Sequence, residues 1–86
     1  MQDERKPLIL KSPKADIKIH SDYLEITLDG LHYVVGYSHI SEIYLNKNIA
    51  ITLSDLLKIA LKKPISLINH YGYVVAEIRI PHARRS

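Results

Sequence analysis

Five histidines and nine acidic side chains are the groups in this 86-residue chain that could hold a metal or move a proton. His20, His32, His39, His70 and His82 are scattered, and the nearest two, His32 and His39, stand seven positions apart. No helical i, i+4 pair exists among them, and cysteine is absent. Closed metal sites normally need four nitrogen or sulfur ligands. The histidines therefore read as single outward rings, and no metal is expected. Of the acids, Glu25, Glu42, Asp55 and Glu77 fall on different elements. General acid–base chemistry needs carboxylates converging in a cleft. Ser38, Ser54 and Ser66 have no nucleophile-elbow glycines around them. The reading is a chain with no catalytic residues and no cofactor of its own.

The basic residues form a better case. Arg79, Arg84 and Arg85 cluster near His82 at the end of the chain, and Lys62-Lys63 close a helix. Such side chains contact phosphates without reading sequence. Lys62, Lys63, Arg79, Arg84 and Arg85 are the expected nucleic-acid contacts, against a plainer reading as a solvated terminus and a helix-dipole complement. The net charge of +3 permits a polyanionic partner without demanding one. Phe and Trp are missing, so Tyr23, Tyr33, Tyr37, Tyr44, Tyr71 and Tyr73 are the only large rings. Half or more should pack in the core or on sheet faces. Tyr71 and Tyr73 flank a turn glycine and are expected at an interface, where exposed tyrosine is enriched.

These residues must be positioned by one small domain spanning 1–86, since domains usually run to about 100–150 residues. A hydrophobic content of 47% and a charged content of 24% suit a packed globular protein. The lack of cysteine fits a reducing compartment. No apolar stretch approaches the ~20 residues of a membrane span, and the start MQDERK does not resemble a secretory signal. The expectation is a cytoplasmic protein without a membrane partner.

Residues 1–7 read as a polar lead, with Pro7 preceding a strand. Leu8-Ile9-Leu10 is a short apolar run. Ile17 and Ile19, then Leu24, Ile26 and Leu28, alternate with polar residues, the period of a half-buried strand. Asp29-Gly30 predicts a tight hairpin into Leu31–Val35. Gly36–Ser41 reads as a turn, followed by short strands around 43–45 and 49–51. Thr52 and Asp55 resemble a capping box opening a helix over about 53–63, which Pro64 stops. Its stripe Leu53, Leu56, Leu57, Ala60 and Leu61 should bury against a sheet. A last hairpin runs from Ile65–Ile68 through Asn69–Gly72 into Tyr73–Ile80, with Val74, Ala76, Ile78 and Ile80 on one face. Residues 81–86 are a basic exit. The expected fold is mainly β (α+β), a small sheet or sandwich of six to seven short antiparallel strands with one helix before the last hairpin.

From Asp22 to Ile80 this order resembles the N-terminal β domain of the CRISPR-associated adaptation integrase, the endonuclease that inserts new spacers. The resemblance rests on the Tyr23–Gly30 hairpin, His39–Leu45 as a turn into a strand, and Thr52–Leu57 opening the helix. Ile65–Ile68, Gly72 and Val75–Ile78 with Pro81 match the last hairpin and the run into an interdomain linker. It is a likeness of element order and apolar spacing. It implies a two-fold homodimer, contact with the small CRISPR adaptation protein, and duplex DNA laid across the assembly. The family's metal-dependent catalysis is carried by a helical C-terminal domain with Glu, His and a second acid, and none of those positions matches a residue here. The implied role is a non-catalytic dimerisation and DNA-scaffold module. The rival is a small β adaptor that binds another protein by edge-strand addition.

Overall fold

The structure is a computed structural model and describes residues 5–81. Its described residues form seven strands and one α-helix in two sheets. The three-stranded sheet holds β2 (Asp16–Ile19), β3 (Tyr23–Leu28) and β4 (Leu31–Gly36), antiparallel throughout. Asp29 and Gly30 take φ of 54° and 77°, the two positive values that a type I′ turn requires, and Leu28 faces Leu31 across it. A short 3-10 turn at Tyr37–His39 then leads into β5 (Ile40–Asn46).

The four-stranded sheet has the order β1-β5-β6-β7, with β1 at Lys6–Leu10, β6 at Ile65–Ile68 and β7 at Val74–Ile78. Here the all-antiparallel expectation fails in two pairings: β1–β5 and β5–β6 are parallel. The reason is the length of the connections. Segment 47–64 contains α1 (Leu53–Ala60), and parallel neighbours need a crossover of about a dozen residues or more. The entire three-stranded sheet lies between β1 and β5 in the sequence. Only β6–β7 forms the hairpin expected at the end.

Several local expectations are corrected as well. Pro7 lies inside β1, where the register slips between Lys6 and Leu8. An edge strand tolerates proline at such a slip, because its missing N–H leaves no central ladder bond unmade. Residues 49–51 form no strand. Asn46 instead turns the chain, its side chain donating to the Lys11 carbonyl at 2.7 Å and accepting from the Asn48 N–H at 2.8 Å, and Ile49 drops into the core. A slip at Leu67/Ile68 leaves Val75 without an opposite residue, so Val74 does not share the face of Ala76 and Ile78.

The helix begins as expected, with Thr52 Oγ1 accepting the Asp55 N–H at 3.1 Å. It ends at Ala60, short of residue 63, and the Lys62 and Lys63 N–H groups both return to the Ile59 carbonyl. Its buried side is Leu56 and Ile59, not the whole leucine stripe. Ile59 is fully buried, whereas Leu53 and Leu61 are 68% and 58% exposed. The core joins Leu24 and Ile26 of one sheet to Ile40, Ile43, Leu45 and Ile65 of the other, with α1 closing it. Full burial of each such side chain is worth about 1.5–3 kcal/mol. No helix among the described residues is long and apolar enough to cross a membrane.

Candidate nucleic-acid interface

The β6–β7 register explains how distant basic residues meet. Ile65 pairs with Ile78, so Arg79, the next residue outward, comes level with Pro64 and the Lys62-Lys63 pair that precedes it. The three cations border one open groove of about 370 Å³ whose apolar walls include Leu61, Pro64 and Ile80. Arg79 donates from Nε and Nη2 to Glu77 Oε1 at 3.3 and 3.2 Å on the exposed face. Lys62 Nζ lies 5.9 Å from the ring centroid of Tyr37, within cation–π range. Arg84, Arg85 and His82 lie outside the described residues.

Tyr71 and Tyr73 are each 70% exposed, with ring centroids 6.5 Å apart. Asn69 Oδ1 shapes their turn by accepting both their N–H groups, at 2.9 and 3.0 Å, while Gly72 supplies a φ of 92°. The turn and the basic groove sit at opposite ends of β7, about 17 Å apart at the rise of a five-residue strand. The structure thus gathers Lys62, Lys63 and Arg79, and keeps the two tyrosines away from them. Tyr37 is buried, and its hydroxyl is pushed toward a higher pKa by that burial.

A second polar cluster escaped the residue-by-residue reading. Glu25 on β3 is bridged by His20 Nε2 at 2.5 Å and His32 Nε2 at 2.9 Å, so each carboxylate oxygen receives one ring N–H. Tyr23 stacks on His20 with centroids 4.2 Å apart. The bonds from His20 and then His32 hold the Glu25 carboxyl below the usual carboxylate range. The signal was present: an Asp-Gly turn sets Thr27 opposite His32, which leaves His32 diagonal to Glu25 on one face. The two rings take different oxygens of one carboxylate, which is a bridge and not a convergent ligand set. Among the described residues no group of three or more His, Cys, Asp or Glu could hold a metal ion.

No protein-family profile matches the chain. No curated protein matches it either. Solved structures do. A chain of the "Partial Cas6-RT-Cas1--Cas2 complex" superposes with a TM-score of 0.69 at 12% identity, over 92% of this chain and 24% of that one. A CAS1 protein from Thermotoga maritima superposes with a TM-score of 0.59 at 13% identity, over 87% of this chain and 23% of that one. The chain has the Cas1 N-terminal β-domain fold. It spans about a quarter of each of those chains. The mixed four-stranded sheet, the three-stranded sheet and the single helix of this Cas1-type fold are what position the basic groove.

Proposed function

We propose that the chain is a non-catalytic dimerisation and DNA-scaffold module of a CRISPR spacer-acquisition integrase. The observation that carries this reading is the Cas1-type fold over 92% of the chain. One neighbour belongs to a complex that also contains Cas2, which supports docking with the small adaptation protein. In this reading Lys62, Lys63 and Arg79 meet phosphates at the groove, with Arg84 and Arg85 as further phosphate contacts. The edge strand β7 supplies backbone donors and acceptors for pairing with a second copy near Tyr71 and Tyr73. Strand chemistry belongs to a helical catalytic domain elsewhere, and the module works in the cytoplasm.

The test is fluorescence anisotropy of labelled duplex DNA across a salt series. Each phosphate contact contributes a slope of about −0.9 in log affinity against log salt. Lys62→Ala with Lys63→Ala should weaken binding to all sequences alike and flatten the slope by about 1.8. Absence of binding at low salt, or an unchanged slope, would count against the scaffold role. The exposed Val74 and Val75 on the β7 edge favour the second reading, a protein adaptor working by strand addition. A pull-down that retains a protein partner after nuclease treatment, with no DNA affinity, would select it.

A further inference from the structure

The side of α1 that the core does not use carries its own pattern. Leu53, Leu57 and Leu61 follow at four-residue steps and are 68%, 39% and 58% exposed. That spacing stacks them in one row along the whole helix. The surface dips on both sides of the row's end. One dip is the groove toward Pro64 and Ile80, and the other, about 330 Å³, lies between Lys58, Leu61 and Lys62 and the end of β2 at Ile19 and His20. Leu61 and Lys62 border both. A ridge between two grooves is the relief that accepts rows of side chains from another helix.

Charge selects the occupant. Lys58, Lys62, Lys63 and Arg79 border the two grooves at the Leu61 end of the row. The nearby acids are already engaged, Asp55 with Lys58 at 3.9 Å and Glu77 with Arg79 at 3.2 Å. Lys62 and Lys63 have no ion-pair partner among the described residues. A second copy of this chain would set those cations against themselves. A phosphate backbone would satisfy the lysines and leave three leucines in water. We propose that α1 docks an amphipathic helix of a partner protein, its apolar row seated on Leu53, Leu57 and Leu61 and its acidic flank facing Lys62 and Lys63. This goes beyond the scaffold reading without resting on it, and because Lys62 and Lys63 serve both, duplex DNA and the acidic helix compete for those two side chains.

The probe is a fluorescein-labelled peptide of about 20 residues, long enough to hold a helix. It carries leucines at i, i+3, i+4 and i+7 with glutamates beside them, and a control peptide carries lysine in place of each glutamate. Saturable binding of the acidic peptide alone to the 86-residue chain is expected. Leu53→Ala with Leu57→Ala should weaken that binding at least about tenfold, given the apolar area each leucine contributes. Both sites favour alanine in a helix, so the circular dichroism should be unchanged, and affinity for duplex DNA on the same samples should not move. Equal binding of both peptides, no saturable binding, or indifference to the double substitution would overturn the proposal. So would conversion of a dimer to a monomer by that substitution, since a second copy would then be the occupant. Loss of the peptide but not of duplex DNA in Leu53→Ala with Leu57→Ala separates this surface from the scaffold role, and parallel loss of both ligands in that variant would overturn the proposal.

Discussion

Replacing Ile59 by alanine removes the one α1 side chain with no exposed surface. It sits where the helix meets the core cluster that contains Ile40, Ile43 and Ile65, so the lost methylenes leave a cavity with walls on every side. Such substitutions cost about 2–5 kcal/mol, and rigid surroundings push toward the upper end. A domain of this size has roughly 4–13 kcal/mol of stability in total. A loss of about 3 kcal/mol would lower the urea midpoint by about 3 M, at a denaturant slope near 1 kcal/mol per molar. The informative control is Leu53→Ala in the same helix. Leu53 is 68% exposed, so its truncation should cost less than about 0.5 kcal/mol, and the higher helix propensity of alanine offsets part of that. Equilibrium urea unfolding followed by circular dichroism compares the two. Equal losses at Ile59 and Leu53 would refute the helix orientation and the exposed leucine row with it.

Glu25→Gln tests the bridge to His20 and His32. The Glu25 carboxyl titrates lower in the folded chain than unfolded, so its stabilising contribution is complete above the ordinary carboxylate range and is lost as pH falls through the depressed value. The variant should therefore melt below wild type near neutrality, with the gap closing in acid, and a gap that ignores pH would dismiss the bridge. Gly30→Ala should cost about 1–2 kcal/mol, because a Cβ there meets nothing within 4 Å and the penalty comes from the positive φ alone; Gly30→Asn should cost less, as melting curves of the pair can report. Thr52→Ala removes the oxygen that accepts the Asp55 N–H and should lower stability by about 1 kcal/mol in urea unfolding. Retained stability there would mean that the cap is made by another group.

Local chemistry was the legible part of this fold. The Asp29-Gly30 turn, the alternating runs around it and the Thr52 cap each have a short-range physical cause, and each appears where the residues placed it. Pairing direction was not legible, because a period of two is the same in parallel and antiparallel ladders. Helix rotation was ambiguous for a similar reason. Leu53, Leu56, Leu57, Ile59, Ala60 and Leu61 wrap more than half the circumference, so periodicity alone does not pick the side that holds Ile59. At the candidate site, Lys62 and Lys63 read as the last turn of a helix that in fact ends at Ala60, and their meeting with Arg79 depends on the long-range Ile65–Ile78 pairing. The His20–Glu25–His32 bridge was within reach once hairpin register was used to pair faces.

The position of β1 has a consequence for how the chain assembles. Its partner strand lies far downstream, with Ile9 opposite Tyr44, whereas β3 and β4 close across two residues. Closing a long loop costs entropy before any contact is gained, and distant pairings slow folding for that reason. During synthesis β1 emerges well before β5 and is thus late to find its place. Leu8-Ile9-Leu10 waits unpaired until β5 is delivered, a window in which a chaperone or another nascent chain meets it first.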